Sequence, residues 1–200
     1  MRTRALLLGF SIFLFGCNLL LPLPGEARQT PTPAAPVAEG FPDRSALPND
    51  SGIEGVQIYP DKTEYHDHVD SVPQPDGGIP PSFGQHFSAW QNCGVYDRPV
   101  ELGLALHSLE HGAVWLTYRP DLDSKNVEQL QELVRGHDYV LMSPYLNQPA
   151  DVVLSAWTVQ LVIESLPDDR IQEFIDYYEQ GLQNPEPGAP CSGAIGQPLP

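Results

Sequence analysis

Val100-Glu101-Leu102-Gly103-Leu104-Ala105-Leu106-His107-Ser108-Leu109-Glu110-His111-Gly112 runs directly into Ala113-Val114-Trp115-Leu116-Thr117-Tyr118. The first part has helical spacing and predicts a helix from about Val100 to His111. Gly112 stands where a glycine just past the last helical residue ends a helix. On such a helix His107 and His111 are four apart and share a face, with Glu110 three residues from His107 on the same side. That geometry suits a divalent metal, so the end of this helix is the expected floor of a site. The apolar run Ala113–Tyr118, rich in Val, Trp, Thr and Tyr, reads as a buried strand.

Working outward toward the C-terminus, Val127, Leu130, Leu133 and Val134 lie at helical spacing in Ser124–Arg135, with Ser124 as the expected N-cap. Tyr139–Ser143 is strand-like, which completes a β-α-β order. Asp151–Val162 supplies a further strand or two, broken near Leu166-Pro167. A helix over Asp168–Gln180 follows, with Ile171, Phe174, Ile175 and Tyr178 on one side and Gly181 as its stop. Toward the N-terminus, Gly55–Tyr59 alternates as a short strand does. The sum is an α+β fold, a single small domain with a mixed β-sheet and helices packed on at least one face. Trp115, Trp157 and most tyrosines are assigned to the core.

The chain begins Met1-Arg2-Thr3-Arg4, then an apolar run to Phe15, then Gly16-Cys17. A basic start, a short apolar stretch and a small residue make an export signal, too short for a comfortable membrane span. Leu14-Phe15-Gly16-Cys17 resembles a bacterial lipobox. This predicts a signal peptide over 1–16, acylation of Cys17 and an extracytoplasmic chain whose membrane contact is that lipid. Residues 17–50 are proline-rich and read as a flexible tether; residues 51–200 are the domain. No internal repeat is evident. Cleavage before Cys17 removes Arg2 and Arg4 but no acid, making the formal net charge of −16 still more negative. Such a surface repels nucleic acid, which is therefore not an expected partner. No feature identifies a protein partner.

With Cys17 assigned to lipid, Cys93 and Cys191 remain in a disulfide-permitting compartment. The economical reading is one bridge that pins the Pro/Gly-rich tail, residues 184–200, to the domain. Closing a loop of about a hundred residues is worth on the order of 4 kcal/mol if chain entropy dominates. The competing reading makes Cys93 a soft metal ligand and leaves Cys191 a free thiol.

Histidine-bearing segments around His68, His86 and His107/His111 all precede the βαβ half. Imidazole is the ligand of choice for zinc, copper or nickel near neutral pH. Pro80-Pro81-Ser82-Phe83-Gly84-Gln85-His86 is a stiff turn that delivers a histidine without help from a helix or strand. His66 is read as part of an exposed acidic turn, and His137 as a surface or capping residue. His107-x-x-Glu110-His111 also matches the inverted zinc-protease spacing, in which the glutamate activates water. Gly112 and the immediate strand leave that motif little helix, and no second helix obviously supplies a later acidic ligand. No Gly-x-Ser-x-Gly elbow surrounds Ser82 or Ser108, and no glycine-rich phosphate loop occurs.

Pro80-Pro81-x-x-Gly84-x-His86, Trp90, Cys93-Gly94-Val95-Tyr96, His107 to Val114, Ser143-Pro144-Tyr145, Ala156-Trp157 and Pro185 to Cys191 together resemble the DUF3105 family of bacterial extracytoplasmic proteins. Phe83 departs from the small residue usual there. The resemblance implies a fold and a compartment without an established activity. It singles out His68, His86, His107, Glu110 and His111 as site positions, leaves His66 unsupported, and favours pairing Cys93 with Cys191. The leading expectation is a copper or zinc site made by His86, His107 and His111 with His68 as fourth ligand. Glu110 would then orient a ligand by hydrogen bonding. The alternatives are a metal-free interaction module and a zinc hydrolase with Glu110 as base.

Overall fold

The strand that follows Gly112 lies inside the sheet. In the computed structural model, which describes residues 50–75 and 78–200, β3 (Val114–Tyr118) pairs in parallel with β4 (Val140–Pro144) and antiparallel with β5 (Val152–Ala156). β5 forms a hairpin with β6 (Val159–Ile163), and β1 (Gln57–Ile58) and β2 (Gly94–Val95) close the two edges. The six-stranded order is β1-β6-β5-β3-β4-β2. Residues 1–49, which hold the segment read as a signal peptide, Cys17 and nearly all of the expected tether, lie outside the described residues. Among the described residues no helix is long and apolar enough to cross a membrane.

β3, β4 and β5 are buried at every position, which explains their near-continuous apolar sequences: both faces of the sheet are covered. Val114, Leu116 and Met142 face one core with α2 (Ser124–Val134) and α3 (Arg170–Tyr178). Trp115 and Leu141, one residue out of phase, face a second core with α1 (Leu102–Glu110), Tyr145 and Trp157. From α3, Ile171, Phe174 and Ile175 are all essentially buried, each worth about 1.5–3 kcal/mol. The mixed sheet and the helical order are those expected from the sequence, and the helices flank both faces.

Local differences have specific causes. The cap of α2 is Asp123, whose side chain accepts from the Lys125 N–H at 2.9 Å, so Ser124 is the first helical residue. At the end of α3 it is Gln180, not Gly181, that takes the left-handed backbone, with φ 53°. Gln180 is held there because its N–H donates to the Gly112 carbonyl and its side chain to the His111 carbonyl, at 2.9 and 2.6 Å. Tertiary hydrogen bonds thus override the usual preference for glycine. Gly112 itself has φ +95°, and a Cβ there would stand 2.3 Å from the Gln180 amide nitrogen. It ends α1 and, in one residue, admits the close approach of the segment that follows α3.

Helix α1 positions the site. Leu102, Ala105, Leu106 and Leu109 pack on the sheet, yet His107, Ser108 and Glu110 are also buried. Their side is covered by the loop that carries His86 and by the C-terminal tail. Thr158 N–H donates to Ser82 O and the Gln160 side chain to Pro80 O, so the proline-rich loop is fastened to the β5–β6 hairpin. The tail is held by the Cys93–Cys191 disulfide, with a Cα–Cα separation of 5.4 Å, and by backbone bonds such as Asn92 N–H to Ile195 O at 2.8 Å. The bridge removes Cys93 from the possible metal ligands.

Candidate metal centre

Three imidazoles are oriented in the same way. His86 lies 2.9 Å through Nδ1 from the Gly84 carbonyl, His107 2.6 Å from the Phe87 carbonyl, and His111 2.8 Å from the Pro190 carbonyl. A carbonyl oxygen can only accept, so each Nδ1 carries the proton and each Nε2 is the nitrogen left over. The three acceptors come from the proline-loop segment and the tail, the two elements laid over α1.

The rings converge on His107. Its centroid is 4.5 Å from that of His111, 4.9 Å from His86 and 5.0 Å from His68. His68 arrives through a short parallel bridge to His86, in which Val69 N–H donates to His86 O at 2.8 Å. His86, His107 and His111 are buried, and His68 is exposed. Two sets of ligating atoms lie within 4.8 Å of one another: His68, His86, His107 and Glu110 in the first, and His107, His111 and Glu186 in the second. Either could hold a metal. His111 therefore falls in a group with Glu186 rather than with His68 and His86.

Glu110, 3% exposed, is bracketed by imidazoles. Its Oε1 is 2.5 Å from His66 Nδ1 and its Oε2 is 2.8 Å from His86 Nε2. The His86 contact is close but misaligned, so Nε2 is buried with no hydrogen-bonded partner, and the carboxylate attracts the ring only when Nε2 is protonated as well. Burial works against the charged form of each group, but the pairing outweighs it: the pKa values of His66 and His86 are raised, and that of Glu110 is lowered. His107 moves the other way, down to about 4. Burial is the main cause, reinforced by His111, His86 and His68 and opposed by the Phe87 carbonyl. It is neutral near pH 7, with its remaining nitrogen free to bind.

His66, assigned from sequence to an exposed acidic turn, ends a short 3-10 segment (Thr63–His66) and joins both Glu110 and Asp61. His66 and Glu110 are 44 positions apart, and no local pattern signals the contact. Two tryptophans wall the cluster: Trp90, 4.7 Å from His111 and 5.8 Å from His107, and Trp157, 5.1 Å from His66 and 5.8 Å from His86. Trp157 is a core residue, as expected, and also a wall of the site. His137 stays apart and pairs with Glu179.

No curated protein and no solved structure matches the chain. Residues 77–193 match the family described as protein of unknown function (DUF3105). That span is more than half of the chain and holds His86, His107, Glu110, His111 and both bridged cysteines, so the chain belongs to the DUF3105 family.

Proposed function

We propose that this chain is a lipid-anchored extracytoplasmic domain that binds a transition metal, copper or zinc, through the imidazoles around His107. The observation that carries the reading is the shared orientation of His86, His107 and His111. Each gives its Nδ1 proton to a backbone carbonyl, the usual way a protein selects the tautomer of a metal-binding histidine and aims its Nε2. The buried Nε2 of His86, without a hydrogen-bonded partner, is a group that an ion would satisfy. His68, His86 and His107 are the proposed ligands, with Glu110 supplying charge balance next to them. Neutral nitrogen ligands with one carboxylate fit zinc or copper rather than calcium or magnesium.

The bracketing of Glu110 weighs against hydrolysis with Glu110 as base, since both its oxygens already face imidazoles. The disulfide supports an oxidising compartment, and the lipobox-like Leu14 to Cys17 supports a lipid anchor at Cys17. Acidic composition argues against nucleic acid as a partner. Purified protein titrated with Zn(II) or Cu(II) should retain one ion per chain after desalting, and His86→Ala with His107→Ala should retain none. A wild-type protein that takes up neither metal would rule the reading out.

A further inference from the structure

The second set of ligating atoms lies across the last turn of α1. His111 Nε2 is 3.3 Å from Glu186 Oε2, and both stand within 4.8 Å of the His107 ligand atom. Nitrogen and oxygen ligands at about 2.0–2.2 Å from a tetrahedral ion are about 3.3–3.5 Å apart, so the His111–Glu186 spacing is that of two ligands of one ion. His111 is buried, whereas the Glu186 side chain is 49% exposed. Glu186 is held in place through its backbone, whose N–H donates to Asn184 Oδ1 at 2.9 Å and lies 3.2 Å from the Glu110 carbonyl.

His107 belongs to both sets but has one nitrogen to offer, because its Nδ1–H is committed to Phe87. We propose that His107, His111 and Glu186 form a second, outer position for a divalent transition metal, and that one ion passes between the two positions while remaining bound to His107. The inference rests on the metal-site reading above. In the step outward, the bonds to His68 and His86 break and bonds to His111 and Glu186 form. The His107 bond is kept and no electron is transferred. The carboxylate next to the ion changes from Glu110 to Glu186, so the charge around it is conserved. Both positions reach solvent, the first at the exposed His68 and the second at the half-exposed Glu186; the second has one imidazole fewer, holds the ion more loosely, and is the route by which the ion is loaded and released.

The test uses the purified full-length chain, Cu(II) as probe and EDTA as acceptor. The wild type should hold one Cu(II) per chain, not two. Glu186→Gln alters only a half-exposed carboxylate and keeps the backbone bonds. It should still hold one Cu(II), yet pass it to EDTA at least tenfold more slowly, and Glu186→Ala should do the same. Transfer from both variants at the wild-type rate, or two ions held at once by the wild type, would overturn the relay while leaving the metal site standing. Failure of the wild type to bind copper or zinc would overturn the metal site itself, and the relay with it.

Discussion

Glu110 shows how one side chain sets the electrostatics of the cluster. A carboxylate this buried is costly unless paired, and His66 and His86 supply the pairing. Glu110→Gln keeps the shape and removes the charge, so in metal-free protein the pKa values of His66 and His86 should both fall, as measured by NMR titration of the imidazole nitrogens. An unchanged His86 titration would mean that Glu110 does not hold its charge. The tryptophans offer a second readout at this scale. Trp157 lies next to His66 and His86, and Trp90 next to His107 and His111. Cu(II) should therefore quench the remaining fluorescence of Trp90→Phe and of Trp157→Phe alike, and Zn(II) should quench neither in the same way.

At the level of elements, α1 depends on Gly103 as much as on its apolar face. A Cβ at Gly103 would stand 2.8 Å from the Phe87 ring, and Phe87 carries the carbonyl that orients His107. Alanine is intrinsically better in a helix by about 1 kcal/mol. Here the clash should win, because overpacking costs about 1–3 kcal/mol. Gly103→Ala is expected to lower the melting temperature and weaken metal retention together. Helix α3 provides a test independent of the metal. Asp168 accepts from the Arg170 backbone N–H at 3.0 Å and pairs with the Arg170 guanidinium, which lowers its pKa although burial opposes this. A carboxyl with a depressed pKa in the folded state stabilises above its unfolded value of 3.8, and that contribution is lost as pH falls through the lower folded value. Asp168→Asn keeps the acceptor for the Arg170 N–H but loses the ion pair with the guanidinium, so it should be less stable than wild type near pH 7 by about 0.2–1 kcal/mol. In urea denaturation the difference should shrink as pH drops below 3.8.

For the whole molecule, the disulfide ties the tail to the edge of the sheet across 98 residues of sequence. Replacing both Cys93 and Cys191 by Ser should cost on the order of 4 kcal/mol of unfolding free energy in urea denaturation. The tail also carries Pro190, which holds His111, and Glu186, which stands next to it. The same double variant should therefore release Cu(II) to EDTA with altered kinetics while His68, His86 and His107 still bind it.

The helix that ends at Gly112, the buried strand after it, the βαβ order and the amphipathic α3 were all legible in the sequence, because each rests on local periodicity and on residues a few positions apart. The two cysteines beyond Cys17 left one economical pairing, and the resemblance favoured it. His68, His86, His107 and His111 could be named as candidates by residue type and by that resemblance. Their division into two sets that share His107 could not, since it depends on where the proline loop and the tail cross α1. His66 sits among acidic and polar residues, Glu186 stands between Pro185 and Pro187, and neither carries a periodic signal. Only tertiary structure decided that one would reach a buried carboxylate and the other a buried imidazole, because both contacts close over tens of residues.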